Sequence, residues 1–152
     1  MELIRDLKYS RQLHVAGEVA RLVERAFSDG RLGEAIAGRW PLIPVPLHRR
    51  RLHWRQFNQA REIALPLGKF VGLPVVDGLK RIRPTVTQTR LSRRQRQQNL
   101  KGAFEAQKEL GGAPGVVLVD DVFTTGSTVN ECSRVLRKAG VQKVVVVTAM
   151  RG

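Results

Sequence analysis

The chain has 152 residues, 42% of them hydrophobic, which suits one domain (1–152) with a buried core. Its 27 Lys and Arg residues against 13 Asp and Glu give a net charge of +14, which favours anionic partners such as nucleic acid, phosphorylated metabolites or acidic surfaces. No run of about 18 apolar residues is present, and charges stand near the start where a secretory signal would be apolar. We therefore expect a cytoplasmic protein without membrane insertion.

The single cysteine, Cys132, limits the metal and disulfide chemistry that the chain can support. It cannot form an internal disulfide or complete a four-ligand zinc cluster, and it falls at a helical core position. No metal-ligating residues accompany the three histidines in the sequence in a pattern typical of a zinc site; these are His14, His48 and His53. We expect no zinc site.

The first part of the chain predicts helices followed by a strand. Apolar residues at helical spacing predict helices over 3–9 and 15–27, within an N-terminal helical segment, 1–38, that is punctuated at Asp29-Gly30. The apolar run 40–47, which contains prolines, predicts a short buried strand.

The middle of the chain is less regular. The pattern predicts a helix over 58–70, which Pro66 should kink or break, and strands over 73–76 and 79–83. The polar stretch 84–100 has no apolar period and is predicted to be a mobile loop.

Arginines concentrate in two segments, 48–55 and 81–96, both of which are predicted to be loops or loop margins. Such runs are equally compatible with a solvated basic surface that binds no particular ligand. Sequence position alone does not decide between these alternatives.

The end of the chain predicts a strand, a helix and a second strand, over 116–119, 128–138 and 144–148. The helix has one apolar stripe, whereas both strands are apolar on both faces, as in a parallel sheet with helices on both sides. The crossover should be right-handed. Ligands of such sheets bind beyond the carboxyl ends of the strands, where Asp120 and Asp121 follow.

A hydroxyl-rich loop with one glycine comes after these acids. The loop Thr124–Thr128 feeds a helix N-terminus, whose free N–H groups attract phosphate, and Gly126 lets the backbone come close. Asp120 and Asp121 can accept hydrogen bonds from sugar hydroxyls, so the stretch predicts a site for a ribose 5-phosphate. Alternatively, Thr128 and Glu131 fit a capping box, which would explain only the start of the helix.

The thirteen residues 116–128, VVLVDDVFTTGST, resemble the phosphoribosylpyrophosphate-binding motif of type I phosphoribosyltransferases. Nearly the whole chain resembles the ComF family of phosphoribosyltransferase-like proteins, which are linked to competence and DNA uptake. The other matching segments are LIRDLKY (3–9), PVPLHRRR (44–51), RQFNQ (55–59), RPTVTQTRLS (83–92) and RQQNLKGAF (96–104). The resemblance implies a type I phosphoribosyltransferase fold: a three-layer open parallel sheet with helices on both faces and a small mobile hood.

The resemblance also implies a reaction, in which pyrophosphate leaves the anomeric carbon of phosphoribosylpyrophosphate and Mg²⁺ bridges ligand oxygens. Residues 84–100 resemble the flexible hood loop that closes over the pyrophosphate. The implied catalytic residues are Asp120, Asp121, Arg83 and Arg96, the 5-phosphate contacts are Thr124, Thr125, Gly126, Ser127 and Thr128, and the pyrophosphate contacts are Leu47, His48, Arg49 and Arg90. Mg²⁺ is expected to bind through the ligand, with Asp120 and Asp121 as candidate protein ligands.

Some residues of these motifs also suit a purely structural role. Four amide residues fit the family motif and equally fit turns or helix caps: Asn58, Gln59, Gln88 and Asn99. Trp54, Phe57 and Phe104 are expected to pack in the core or the hood rather than to stack on bases.

Three features depart from the family pattern. The family commonly begins with a cysteine-rich zinc-binding segment, whereas this sequence starts at the element that would follow it. Gln56 stands where the family usually has glycine. Thr124 replaces the acid that faces the purine in 6-oxopurine phosphoribosyltransferases, which argues against a hypoxanthine or guanine substrate.

Two functions from different classes therefore remain open. The first is binding of phosphoribosylpyrophosphate with Mg²⁺, with transfer of phosphoribose to an unidentified nitrogenous acceptor. The second is a non-enzymatic basic adaptor that binds single-stranded DNA or DNA-uptake proteins, favoured by the excess of positive charge. A homo-oligomer is compatible with either.

Overall fold

The structure is a computed structural model that describes residues 14–48, 57–85, 92–110 and 112–151. The predicted helix over 3–9 and parts of both arginine-rich segments, 49–56 and 86–91, lie outside the described residues.

The first described residues, 14–37, are mainly helical. Helix α1 (His14–Glu24) continues into a 3₁₀ turn (Arg25–Ser28), and α2 (Gly30–Ala37) follows. Asp29 separates them because its carboxylate accepts the Arg31 N–H at 2.9 Å and so caps the start of α2. The punctuation expected at Asp29-Gly30 is therefore a helix start.

A three-stranded parallel sheet forms the centre of the structure. It consists of β1 (Leu42–Pro44), β4 (Val116–Phe123) and β5 (Val144–Arg151), with β4 in the middle. Ile43 of β1 pairs with Leu118, which pairs with Val146 of β5. The helices are α3 (Gln59–Val71), between β1 and β4, and α5 (Ser127–Lys138), between β4 and β5.

Helices cover the sheet on both sides. Val117 and Val119 point to a buried cluster that contains the apolar faces of α1 and α3. Val116 and Leu118 alternate to the other face, where they pack with Cys132 of α5. The predicted three-layer α/β fold with a parallel sheet is therefore confirmed.

The two helical crossovers extend the sheet in opposite directions. The first leads from β1 through α3 to Val75, and the second leads from β4 through α5 to β5. After α3, Val75 forms a parallel bridge with Leu42, and the Leu42 N–H and C=O bond to Pro74 and Val76 on the side of β1 away from β4. The chain then returns to β4 and continues outward to β5. The carboxyl ends of β1 and β4 thus flank a topological switch point, where open α/β sheets form a ligand crevice.

A second, two-stranded sheet is antiparallel, with β2 (Leu79–Arg81) paired to β3 (Phe104–Ala106). Between them lies α4 (Arg93–Leu100), and a 3₁₀ turn (Lys108–Leu110) follows β3. Phe104 is buried with the Arg81 guanidinium 5.3 Å from its ring centre, as expected for a packing residue.

Several local predictions were wrong. Of the two effects expected of Pro66, a kink or a break, the break is wrong, because α3 runs through Pro66 to Val71. The strand expected over 73–76 is a single bridge at Val75. The stretch 84–100 is not wholly a loop, because Ser92 accepts the Gln95 N–H and the Gln95 side chain accepts the Ser92 N–H, a capping box that starts α4. None of the helices in the described part of the chain is long and apolar enough to span a membrane.

Candidate functional site

The ends of β1 and β4 and the start of α3 meet at the switch point. The Val45 N–H donates to the Val119 carbonyl at 2.9 Å, which extends the pairing past β1. Asn58 donates from Nδ2 to the Val45 carbonyl at 3.0 Å and accepts the Ala60 N–H at 3.1 Å. Asn58 is therefore a helix cap that also ties α3 to the end of β1.

The acidic pair lies within β4 rather than after it, because β4 extends to Phe123. Asp120 pairs with Thr148 of β5. Strand alternation puts Asp120 on the face covered by α5 and Asp121 on the opposite face. Both are half-buried, and the Asp120 carboxylate accepts the Asp121 N–H at 2.9 Å.

The neighbourhood of Cys132 agrees with this placement of Asp120. Burial, and next the negative charge of Asp120, raise the pKa of the Cys132 thiol well above its usual range. The cysteine is fully buried and belongs to the core cluster under α5, as predicted. It is a packing residue that remains a thiol at neutral pH.

Gly126 forms the turn that connects β4 to α5. It is the N-cap of α5 and has left-handed backbone angles, φ 75° and ψ 0°. Its carbonyl accepts the Asn130 N–H at 2.8 Å. Only glycine adopts this conformation without strain, so the structure explains why a glycine stands in the middle of the loop.

The loop hydroxyls are partly engaged with each other. Thr125 Oγ1 and Ser127 Oγ are 2.8 Å apart, and the Ser127 N–H donates to Thr125 Oγ1 at 3.4 Å. Ser127 is buried, Thr125 and Thr128 are half-buried, and Thr124 is exposed. The loop is thus ordered next to the N-terminus of α5, where backbone N–H groups lack intrahelical acceptors.

The capping-box alternative for Thr128 is wrong. Gly126 is the N-cap, no side chain caps α5, and Thr128 lies inside the helix. Glu131 instead accepts the Gly102 N–H at 3.0 Å and hydrogen bonds from Arg134 at 2.7 and 2.9 Å. Arg134, the largest contributor, lowers the pKa of the Glu131 carboxyl. Sequence reasoning missed this link because Gly102 and Glu131 are 29 positions apart.

The predicted pyrophosphate residues are only partly within the described chain. Leu47 and His48 are half-buried and follow the end of β1, whereas Arg49 and Arg90 lie outside the described residues. Arg96 lies on α4 and is half-buried.

Arg83 contacts backbone next to α4. It donates from Nη2 to the carbonyls of Asn99 and Lys101, at 2.9 and 2.5 Å. Its guanidinium is therefore engaged at the C-terminal end of that helix.

Two further observations concern ligand space and metal. A cleft of about 320 Å³ lies between α4 and α5 and reaches the start of α5 at Ser127; its other lining residues are Gln97, Gln98, Lys101, Asn130, Glu131 and Arg134. Within the described residues, no three His, Cys, Asp or Glu side chains come together as a metal cage.

Comparison with solved structures identifies the class of fold. The chain matches the structure of the allosteric regulatory enzyme of purine biosynthesis with a TM-score of 0.51 and 21% identity, over 89% of this chain and 26% of that one. No family model matches the sequence. The structural likeness shows the fold alone, and that fold is of the type I phosphoribosyltransferase kind.

Sequence relatives narrow this class. The chain is 38% identical to competence protein F of Haemophilus influenzae over 147 residues, which cover 95% of this chain and 64% of that protein. It is 37% identical to the DNA utilization protein YhgH of Escherichia coli K12 over 146 residues, 95% of this chain and 63% of the relative. The chain is therefore similar to competence protein F over nearly its whole length, as the sequence motifs predicted, and its fold is of the type I phosphoribosyltransferase kind. It spans just under two thirds of the length of these relatives.

Proposed function

We propose that this protein binds phosphoribosylpyrophosphate together with Mg²⁺ in the crevice between the ends of β1 and β4. The observation that carries the proposal is the connection from β4 to α5. A strand with two half-buried aspartates turns at a left-handed glycine directly into a helix N-terminus, beside the topological switch point.

The 5-phosphate is assigned to the loop Thr124–Thr128. The first N–H groups of α5 have no intrahelical acceptors, and the positive end of the helix dipole favours an anion there. Gly126 brings the backbone close without a side chain in the way. Hydroxyls of the loop supply further donors.

The ribose hydroxyls are assigned to Asp120 and Asp121. Asp120 shares its side of the sheet with α5 and hence with the phosphate loop, whereas Asp121 faces the other side at the same strand end. A sugar across this strand end can donate hydroxyl hydrogen bonds to both. Charge-assisted hydrogen bonds of this kind are stronger than neutral ones.

The donor set fits Mg²⁺ held mainly by the ligand. Magnesium typically takes one or two carboxylates and completes its octahedron with phosphate oxygens and water. Asp120 and Asp121 offer such carboxylates, and pyrophosphate and ribose oxygens would supply other positions. The metal would neutralise charge on the pyrophosphate.

The reaction that follows from this site is phosphoribosyl transfer. A nitrogen of the acceptor forms a bond to the anomeric carbon, the bond from that carbon to the pyrophosphate oxygen breaks, and pyrophosphate leaves with the electron pair. The acceptor nitrogen loses its proton to solvent water. We propose that three arginines, Arg96, Arg49 and Arg90, stabilise the negative charge that develops on the leaving pyrophosphate.

Titration calorimetry of the double variant Asp120→Asn, Asp121→Asn tests the site. Each lost charged hydrogen bond is worth about 1.5–3 kcal/mol, so affinity for phosphoribosylpyrophosphate with Mg²⁺ should fall more than about tenfold. Asp77→Asn, which changes an exposed aspartate that pairs with Arg61, is the matched control and should bind like the wild type. Unchanged affinity in the folded double variant would refute the assignment of the ribose hydroxyls.

A second candidate function is a basic adaptor for single-stranded DNA or for DNA-uptake proteins. The net charge of +14 favours it, and relatives are named for competence and DNA utilization. We propose a competence-related role like theirs as the setting for either function.

A further inference from the structure

Helix α4 is too short and too polar to be stable by itself. It has eight residues, RRQRQQNL, and among its described side chains only Leu100 is buried. Isolated helices of this length are marginal in water, and most helical stability in proteins comes from apolar packing. Leu100 anchors the last turn of α4 in the core, and polar contacts at the two ends of the helix supply the other interactions that fix its position.

Arg83 holds the C-terminal end of α4. Its guanidinium donates to the carbonyls of Asn99 and Lys101, which belong to the last turn and to the residue that follows the helix. A cation at this position satisfies free carbonyls and complements the negative end of the helix dipole.

Glu131 fixes the next residue to α5. Its carboxylate accepts the Gly102 N–H at 3.0 Å, and Arg134 holds that carboxylate in place from one turn further along α5. The Glu131 side chain is only 12% exposed. Since α5 begins at Ser127 beside the phosphate loop, this contact links the end of α4 to the helix that starts at the proposed site.

We propose that Arg83 and Glu131 are positioning residues that hold the basic helix α4 at a set distance from the phosphate loop. The proposal rests on the proposed function. Arg83 acts through the backbone of α4 rather than on pyrophosphate, which revises the role expected from the sequence. The pair sets the width of the α4–α5 cleft that reaches Ser127, which Gln97, Gln98 and Lys101 line on the side of α4. This distance brings the basic helix close enough to contribute to binding the pyrophosphate group.

Comparing the affinities for ribose 5-phosphate and for phosphoribosylpyrophosphate distinguishes a role in positioning α4 from a role in binding the 5-phosphate. Ribose 5-phosphate needs only the loop and the aspartates, whereas phosphoribosylpyrophosphate with Mg²⁺ also needs α4. Arg83→Ala and Glu131→Ala should each weaken phosphoribosylpyrophosphate at least about fivefold while leaving ribose 5-phosphate within about twofold. Glu131→Gln retains an oxygen acceptor for Gly102 and should recover most of the lost affinity.

Arg137→Ala is the matched control for Arg83→Ala. Arg137 also donates to a backbone carbonyl, that of Gln142 at 2.5 Å, but at the far end of α5. This variant should bind both ligands like the wild type. An equal loss for both ligands in Glu131→Ala would indicate general damage to the site and would overturn the positioning role.

Amide hydrogen exchange without ligand gives an independent readout. Glu131→Ala should speed exchange at Gly102 and along α4 and leave β4 unchanged, because the hydrogen bonds that it removes, from Gly102 and Arg134, do not involve β4. If the wild type binds phosphoribosylpyrophosphate but Glu131→Ala matches it in affinity and exchange, the positioning role alone fails. If the wild type binds neither ligand, the proposed function fails and the positioning role with it.

Discussion

Gly126 and Phe123 lie in direct contact across the turn that follows β4. A Cβ atom added to Gly126 would lie 2.9 Å from Cζ of Phe123, the last residue of the strand. Phe123 packs in turn against the core cluster under α5. Any larger residue at this turn would therefore have to displace the Phe123 ring in addition to adopting a left-handed backbone.

Gly126→Ala should damage the phosphate loop more than the same change does elsewhere. Its φ of 75° costs a residue with a Cβ about 1–2 kcal/mol, and the contact with Phe123 adds to this cost. We expect a lower unfolding free energy in urea titrations and at least about tenfold weaker binding of ribose 5-phosphate, because the loop must shift.

Gly72→Ala is the matched control, because Gly72 has nearly the same φ, 70°, and no atom within 4 Å of an added Cβ. It should show the backbone cost alone and no change in affinity. Equal affinity of Gly126→Ala and wild type would show that the loop geometry is irrelevant to phosphate binding.

The strand, helix and strand that form the site could be predicted because the signals are local. The runs 116–119 and 144–148 are apolar on both faces, and the intervening helix has one clear apolar stripe. The position of Asp120 and Asp121 relative to the strand was less accurate. Pairing of β4 with β5 continues through Phe123, whereas the two aspartates interrupt the apolar run by which the strand was recognised in the sequence.

The contacts that organise α4 could not be read from periodicity. Its polar sequence has no apolar repeat, although Ser92 and Gln95 have the spacing of a capping box, which was the available signal. The pairing of β2 with β3 and the contact of Arg83 with Asn99 join positions far apart in the chain. Such contacts depend on tertiary packing, which overrides local propensity.

The stability of α2 should depend on pH through Asp29. Its hydrogen bond with the Arg31 side chain is the largest cause that lowers the Asp29 pKa to about 2. A lowered pKa means that the stabilisation is present above the usual aspartate value and is lost as the pH falls toward 2. Asp29→Asn still caps α2 but carries no charge. The difference in melting temperature between wild type and Asp29→Asn should therefore shrink between about pH 4 and pH 2.

Asp77→Asn provides the comparison for this experiment, since it removes an exposed carboxylate that stands at no helix start. A melting-temperature difference for Asp29→Asn that stays constant down to pH 2 would contradict the assigned role of the Arg31 contact.

Loss of positive charge on α4 should separate DNA binding from binding in the nucleotide pocket. Replacement of Arg93, Arg94 and Arg96 by Ala should weaken binding to single-stranded DNA and lower its salt dependence by up to about 2 units of slope, since each phosphate contact on single strands contributes about 0.7. Loss of Lys69, Lys80 and Lys108, which are exposed and lie outside α4, is the control with the same change in net charge. Similar weakening in both triple variants would show that total charge, not α4, attracts DNA.

Competition then decides whether α4 serves one ligand or two. At constant ionic strength, saturating phosphoribosylpyrophosphate with Mg²⁺ should leave the DNA affinity nearly unchanged. This outcome is expected if DNA contacts mainly the exposed Arg94 while the half-buried Arg96 faces the pocket. The arginine triple variant should also lose less phosphoribosylpyrophosphate affinity than the Asp120→Asn, Asp121→Asn variant, because only part of the cluster can reach the pyrophosphate at once. Displacement of DNA by phosphoribosylpyrophosphate would show instead that both bind one surface, since a shared surface is the arrangement in which either ligand excludes the other without a change in salt.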